Sequence, residues 1–483
     1  MSEEQSEDQS YLEQALTMTS QTPADDTKAL LATLTEESFK GTVTWDKNLT
    51  VTVDNAISAI DELISKQLTE VLHNEEFQRL EGSWNGVQKV VKESDLGPDL
   101  KIRIVDYKKD ELLDQFEDAV SIDRSRFFNM IYQEEYGTAG GEPISLLLGD
   151  YFFSYSDEDV ALLRYIGEVS AASHSPFIAA TNPAMFDFST YETFYEGKPV
   201  AAGFDSPAYA SWNAFRESED SRYVTLTMPQ SMTRLPYGER GTKVKDFNYQ
   251  EFELDDKGEP RPSGLKDFTW TNACYEMGLL MTTAFRQSGW CTAIRGVENG
   301  GKVENLPNYT YLSLSGDTLQ QCPTQITITD EREKELSDLG FLPVVHYKGS
   351  NYGVFMGAQT TQKPNTYIDP DATANAAISA RLPYIMASSR IAHYLKVMGR
   401  DRIGSALDPI DVEKELSLWI GQYVNPNAIG NESKAKTPLK EAKVTVVEQV
   451  GRPGCYSAVA YLCPWLQMEE LTTSLRMVAK IPE

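Results

Sequence analysis

The chain is short of the groups that do chemistry. Its 483 residues include four histidines, His73, His174, His346 and His393, none three or four positions from another, so metal-ligand spacing on a helix is absent. Five cysteines (Cys274, Cys291, Cys322, Cys455, Cys463) are odd in number, widely spaced and without C-x-x-C, which reads as reduced, mostly buried small hydrophobes. G-x-S-x-G does not occur, and no cysteine sits in a nucleophile-like motif, so catalysis has no support. No apolar run approaches the roughly 18 residues of a membrane span, and the opening MSEEQSEDQS has neither region of a secretion signal. The expectation is a cytoplasmic chain without direct membrane insertion. Basic charge is also scarce, with 44 Lys and Arg against 72 Asp and Glu. A net charge of −28 repels phosphate backbones, and basic patches interleaved with aromatics are missing, so nucleic acid is not an expected partner.

What is present is a folded composition, 41% hydrophobic and 10% aromatic, long enough for two or three cores. The stretch Phe127–Phe153 organises the rest. An apolar helical run (Phe127, Phe128, Met130, Ile131) breaks at Gly137, turns through Gly140-Gly141-Glu142-Pro143 and re-emerges as the apolar run Ile144–Leu148. The residues predict a sharp glycine turn into a buried strand; Glu142 and the lack of a following helix argue against a phosphate cradle. The segment Gly296–Val303 satisfies G-x-x-x-x-G-K and then fails as a P-loop, with Val303 where a hydroxyl is needed and Glu298 facing the phosphate. His174, before Ser175-Pro176, reads as a helix C-terminal cap. The cluster Arg216–Arg222 reads as a salt-bridge network fixing two surfaces, since adjacent acids along a loop do not converge for acid–base work.

In chain order, two short apolar stretches, Tyr11–Leu16 and Ala29–Leu34, read as docking helices on an acidic arm. Thr42–Trp45 and Leu49–Val53 alternate β-branched and polar residues and predict strands; Asp54 is then expected to cap the helix carrying Ile57, Ile60, Ile64, Leu68 and Val71. A second helix presents Phe77, Leu80, Trp84, Val87 and Val91, with Trp84 expected in the core. Strands at 100–107, 144–151 and 177–180 alternate with helices at 111–119, 125–135 and 158–173, the pattern of an α/β domain. Beyond long insertions lie a strand at 223–227, a helix at 270–286, a strand at 325–329 and a helix at 330–339, then strands at 342–347 and 352–356. A helical region at 372–398 breaks at Leu382-Pro383, and a helix follows at 408–424. Three β-rich segments, 442–450, 456–462 and 471–480, predict a closing antiparallel meander whose open edges invite another chain.

Five blocks in order carry a family resemblance: Leu80-Glu81-Gly82-Ser83-Trp84 with Gly86; Glu135-Tyr136-Gly137 through Gly140-Gly141-Glu142-Pro143 to Gly149-Asp150-Tyr151; Phe215–Asp220 with Arg222-Tyr223-Val224; Leu235-Pro236-Tyr237-Gly238; and Lys348-Gly349-Ser350 through Gln362-Lys363-Pro364. From about Ser58 to the C-terminus the chain resembles the large contractile-sheath subunit of the type VI secretion system (the TssC/VipB/ImpC/EvpB family). It departs at Val297 and Asn299 from that family's G-P-x-G-G-G turn.

The resemblance implies a mixed α/β (α+β) fold of the contractile tail-sheath type, with an α/β insertion domain and a C-terminal antiparallel β meander. The expected division is an arm over 1–57, an α/β domain over 58–330 and a sheath core domain over 331–483. It further implies a structural role without catalysis, cofactor or metal: pairing with a small sheath subunit (TssB/VipA type), self-assembly as stacked hexameric rings around an inner tube (Hcp type), attachment to a baseplate, and recycling by a AAA+ ATPase (ClpV type). Carried over by position, the strands exchanged between protomers fall at Leu49–Val53, Ala442–Val450 and Tyr456–Leu462, with Leu49, Val51, Val53, Val444, Val446, Tyr456, Val459 and Tyr461 as contact residues. The ATPase grip falls on Tyr11, Leu12, Ala15 and Leu16. A phage- or pyocin-like tail sheath, normally built without a partner, is the alternative.

Overall fold

The computed structural model describes residues 49–467, apart from 139, 196–199, 246, 248, 254–259, 261, 314, 405–407, 450, 452–454 and 466. Tyr11, Leu12, Ala15, Leu16, the segment Thr42–Trp45 and the expected strand at 471–480 lie outside the described residues. Two compact units are present: one of residues up to 78 with 234–268 and 309–321, the other of 79–233, 269–308 and 322 onward.

In the first unit, helix α1 (Leu49–Leu72) begins where a strand was expected. Leu49–Val53 is helical and Asp54 lies inside the helix instead of capping it. Valine and threonine cost only a few tenths of a kcal/mol per residue in a helix, and Val53 continues the three-and-four spacing of Ile57 and Ile60. Aromatic rings form the unit's interior, with Phe252 5.3 Å from Phe268 and 5.4 Å from Tyr309 between centroids. Buried Glu251 takes both Arg234 Nη1 (2.8 Å) and Nη2 (3.0 Å) and the Tyr237 N–H (2.7 Å), so the carboxylate is fully compensated.

The second unit is built on a six-stranded sheet of β1 (Leu147–Phe153), β2 (Phe177–Thr181), β3 (Val224–Met228), β4 (Lys302–Val303), β5 (Phe341–His346) and β6 (Gly353–Phe355), ordered β1-β2-β3-β5-β6-β4. The first four strands in that order run parallel, with Phe177 opposite Val224 and Leu226 opposite Phe341; β5, β6 and β4 pair antiparallel. Both faces are buried. Phe177, Ala179, Val224, Leu226, Phe341 and Val345 feed one apolar core, while Ile178, Leu342 and Val344 feed the other, the two-residue alternation of a strand covered on both sides. Helix α3 (Asp157–Ser173) packs into the first core through Val160, Leu163, Ile166 and Val169, and helix α4 (Cys274–Ser288) into the second through Met277, Leu280 and Met281. Ser156 caps the start of α3, and His174, in left-handed conformation at φ 54°, closes its end as the sequence predicts.

The glycine turn before β1 also forms as predicted. Gly140 has φ +82°, and a Cβ on Gly141 would lie 2.2 Å from the Glu135 carbonyl oxygen. The buried Glu135 carboxylate accepts the Glu142 N–H at 2.7 Å, so a protein carboxylate occupies the place an anion would take.

Three further expectations fail. Residues 101–107 belong to no ladder, only Leu100 bridging to Gly97. Residues 325–329 form no strand either, although Ile326 and Ile328 are buried; a bridge of Thr324 to Ser231 and the bond from Gln325 N–H to Gln230 O stand in for a ladder. Trp84 is 60% exposed, because on helix α2 (Glu75–Glu93) the side that meets the second core is that of Gly82, Gly86 and Val90, where small residues allow backbone contact.

Beyond the sheet, a helix at Pro370–Ser379 precedes α5 (Leu382–Asp401), the break falling at Leu382-Pro383 as predicted, and α6 (Pro409–Gly421) follows. The chain then forms the hairpin of β7 (Leu439–Glu448) and β8 (Tyr456–Pro464), whose inner face packs on α5 and α6 through Ile391, Leu416, Ile420, Val444 and Val446.

A Cβ at Gly82 would lie 2.1 Å from the Trp270 carbonyl oxygen. Gly82→Ala is expected to destabilise the chain by about 1–3 kcal/mol in urea unfolding, whereas Trp84→Ala should change stability by less than about 0.5 kcal/mol.

Candidate assembly surfaces

The polar clusters are occupied by structural contacts. The loop Gly296–Lys302 spends its amides on the sheet: Gly296 N–H donates to Phe355 O (2.8 Å) and Gly301 N–H to Gly296 O (2.9 Å), Lys302 pairs with Glu304, and a strand follows instead of a helix. No phosphate cradle results. Arg216 is buried with Nε on Thr361 O (2.9 Å) and Nη2 on Asp338 O (3.1 Å); burial pushes its pKa down to about 10. The cluster Arg216–Arg222 therefore fixes surfaces mainly through backbone carbonyls, with ion pairs only at its margins, Arg222 to Glu219 and Lys363 to Glu217.

The thiols depart from the sequence reading. All five are free, but only Cys274 is buried, and Cys455 and Cys463 are exposed. Burial alone would raise the Cys322 thiol, yet hydrogen bonds with His346, Thr324 and Thr327 outweigh it and hold the pKa below its ordinary value. Cys322 and His346 are 24 positions apart, which no spacing rule detects. Among the described residues no group of three or more His, Cys, Asp or Glu could hold a metal ion, and no helix is long and apolar enough to cross a membrane.

Two histidines meet behind the end of α3. His174 Nδ1 lies 3.2 Å from Tyr223 Oη, His393 Nε2 is 3.0 Å from Ser173 O, and the two rings are 6.4 Å apart. Tyr136 Oη donates to the same Ser173 carbonyl (2.7 Å), and Lys396 Nζ donates to Ala172 O (3.1 Å). The last carbonyls of α3 are thus satisfied by side chains from the Glu135-Tyr136-Gly137 block and α5.

Apolar surface left uncovered is the more telling feature. On α1 the residues Val53, Ile57, Ile60, Ile64 and Val71, with Gln67 between the last two, fall at alternating three- and four-residue intervals, the a/d seam of a coiled coil. Ile57, Ile60, Ile64 and Val71 are each close to half exposed, as is Leu63 beside them. The amphipathic run legible in the sequence exists, but it faces solvent. Of the expected strand residues, Val51 is exposed on this helix and Val53 half-buried.

The hairpin supplies a second surface. Its register, Lys443 opposite Tyr461 and Thr445 opposite Val459, turns Val447, Val459 and Tyr461 outward, while Val444 and Val446 are buried against α6 and Tyr456 is half-buried. One edge is partly closed: Leu439 exchanges bonds with Tyr423 O and Asn425 N, and the Val446 N–H donates to Glu413 (2.8 Å). The other edge, along β8, pairs with no strand among the described residues. Of the eight expected strand residues, five come together in this hairpin, and three lie on α1.

A protein with two units, no assembled reaction centre among its described residues and long uncovered apolar and main-chain surfaces has the character of an assembly component. Comparison with known proteins gives the family. Residues 54–362 match the EvpB/VC_A0108 tail sheath N-terminal domain, and residues 371–481 match the tail sheath gpW/gp25-like domain of the same family. The type VI secretion system sheath protein TssC1 of Pseudomonas aeruginosa is 40% identical over 455 residues, covering 93% of this chain and 90% of that protein. The chain belongs to the EvpB/VipB family of type VI secretion sheath proteins, a family of structural subunits. Among solved structures, a chain of the anti-feeding prophage baseplate covers 66% of this chain and of its own length at 10% identity, with a TM-score of 0.36. A chain of the contracted anti-feeding prophage sheath covers 65% of this chain and 66% of its own at 11% identity, with a TM-score of 0.32.

Burial, with Lys396 and the partner ring alongside, holds His174 down to about 4, and burial likewise holds His393 down to about 4. An imidazole depressed from its ordinary value near 6.5 binds fewer protons folded than unfolded, so stability falls as pH drops from about 6.5 and the loss is complete below about 4. Urea unfolding at pH 7.5, 6, 5 and 4.5 is expected to show that decline, and His393→Gln should flatten it.

Proposed function

We propose that this protein is the large subunit of a cytoplasmic type VI secretion sheath, which pairs with a small sheath subunit, stacks as six-fold rings around an inner tube and contracts to drive that tube, without catalysing a reaction itself. The observation that carries this reading is the exposed seam on α1. Fully burying an exposed isoleucine or valine contributes about 1.5–3 kcal/mol, so covering the half-exposed Ile57, Ile60, Ile64 and Val71 with a partner helix supplies roughly 3–6 kcal/mol before the cost of association. Gln67 in the same seam suits one register of pairing.

The open edge of β8 supports the second half of the reading, that copies are stitched together through shared ladders. Each backbone hydrogen bond in such a ladder contributes about 0.5–1.5 kcal/mol net, and four to six hold neighbours through a large rearrangement without fixing their angle. In this reading Val444, Val446, Tyr456, Val459 and Tyr461 sit in the receiving ladder. Leu49, Val51 and Val53, helical here, enter such a ladder only if the start of α1 unwinds in the assembly. Tyr11, Leu12, Ala15 and Leu16 are the grip of the disassembling AAA+ ATPase, and the far end of the sheath meets the baseplate. If each subunit gains about 1 kcal/mol on contracting, a cooperative tube delivers a directed stroke without fuel.

Co-expression with the small sheath subunit is expected to give tubes by negative-stain microscopy; discrete particles would count against the reading. Ile60→Glu and Ile64→Glu should each abolish co-purification with the small subunit while leaving the chain's own melting within about 0.5 kcal/mol, because neither side chain is in the chain's core. Deleting Met1–Leu16 should leave tubes intact and stop their disassembly by the ATPase. Tubes formed by this chain alone would favour a phage-like sheath instead.

A further inference from the structure

Two Asn-Gly dipeptides occur in the chain, Asn85-Gly86 and Asn299-Gly300. Glycine has no side chain to shield its own nitrogen, so that nitrogen can reach the carboxamide of a preceding asparagine and close a five-membered ring. Whether it does so in a folded protein depends on what else holds the two groups. Here the two dipeptides are held in opposite ways. Gly86 is buried inside α2, where the helical ladder takes its N–H, and a Cβ at that position would lie 2.3 Å from the Tyr275 ring. A nitrogen fixed in this way cannot turn onto the side chain before it.

Asn299-Gly300 instead closes the turn that leads into β4, at one of the two positions where the chain leaves the family's glycine turn. Gly300 is exposed, with φ +80°. The turn is anchored around the dipeptide: Arg295 N–H donates to Asn299 O (3.3 Å), Gly296 N–H to Phe355 O (2.8 Å), Gly301 N–H to Gly296 O (2.9 Å) and Phe355 N–H to Gly301 O (2.9 Å). Among the described residues, neither the Gly300 N–H nor the half-buried Asn299 carboxamide has a hydrogen-bond partner. The attacking nitrogen and the group it attacks are therefore both uncommitted.

We propose that Asn299 is a self-modification site, at which the chain converts its own asparagine to aspartate and isoaspartate with water as the co-reactant. The Gly300 nitrogen gives its proton to solvent base and bonds to Asn299 Cγ. The bond from Cγ to Nδ2 breaks, and that nitrogen takes up protons and leaves as ammonia. Water then adds to either carbonyl of the cyclic imide and opens the ring. Nothing is oxidised or reduced, and the turn gains a negative charge. Opening at the Asn299 main-chain carbonyl gives isoaspartate: the main chain then runs through Cβ, and the carbonyl that receives the Arg295 N–H becomes a carboxylate outside it. The register of β4 on β6, with Val303 opposite Gly353 and Lys302 opposite Val354, begins just beyond this lengthened connection.

Incubation of the full chain in heavy-oxygen water at neutral and mildly alkaline pH, followed by peptide mass spectrometry, tests this. The Asn299 peptide is expected to take up heavy oxygen, faster at the higher pH because the attacking nitrogen must lose its proton, and to become a substrate for an isoaspartyl methyltransferase. Asn85 should react at least about tenfold more slowly in the folded chain and lose that protection in concentrated urea, whereas Asn299 should speed up by less than about tenfold on unfolding. Asn299→Gln, whose ring would have six members, should remove the isoaspartate and leave melting unchanged, since the side chain it replaces has no hydrogen-bond partner. Gly300→Ala is the wrong variant, because its Cβ would lie 2.1 Å from the Ala293 carbonyl oxygen. Asn299 reacting as slowly as Asn85 in the folded chain, or accelerating about tenfold or more on unfolding, overturns the proposal. So does isoaspartate that persists in Asn299→Gln.

Discussion

Main-chain N–H and C=O groups have to be satisfied wherever they lie, and in this protein the parallel strands meet that requirement at the centre of the sheet while its margins meet it by other means. At the centre, β2, β3 and β5 are paired on both edges and buried on both faces. At the margin, β1 pairs on one edge only among the described residues, and side chains reach its carbonyls, Asn272 Nδ2 approaching Tyr151 O at 3.3 Å and Lys109 Nζ holding Phe152 O. The hairpin follows the same logic, with Glu413 accepting from Val446 on one edge and the β8 edge pairing with no strand among the described residues. The uncovered surfaces are thus localised.

The buried polar groups are arranged to hold these elements in place. Glu276 takes Lys89 Nζ at 2.8 and 2.9 Å and the Ser231 hydroxyl at 3.0 Å. Each such carboxylate is compensated on more than one side, the condition under which a buried charge is tolerated. The motif-like stretches that tempt a catalytic reading, Gly296–Lys302 and Arg216–Arg222, turn out to be connections of this kind.

Much of the fold was legible from periodicity. The apolar runs of β2, β3 and β5, the helix at 157–173 with its His174 cap, and the break at Pro383 all follow from residue type and spacing. What spacing cannot report is whether an apolar stripe faces its own core or a partner. Trp84 and the α1 seam have the pattern of core residues and point outward, Trp84 because glycines on the other side of α2 make the closer contact. Nor can it report whether a strand-forming sequence finds a ladder. Leu49–Val53 was absorbed into a helix, residues 325–329 bury Ile326 and Ile328 without forming a strand, and 101–107 joins no ladder. Cys322 and His346 were out of reach for a different reason, since strand β5 and a loop from elsewhere in the chain bring them together.

The two matched family domains, 54–362 and 371–481, meet just past Arg216's contacts, and that position has a mechanical consequence. Thr361 N–H donates to Val224 O, Lys363 N–H to Arg216 O, the Thr361 hydroxyl to Ser221 O, and the Arg216 guanidinium returns to Thr361 O. A tug on the chain after residue 364 therefore does not peel one bond at a time from a free end. It is shared among several bonds strained together, with a guanidinium as the rivet, so tension reaches β3 and the middle of the sheet before any of them gives way.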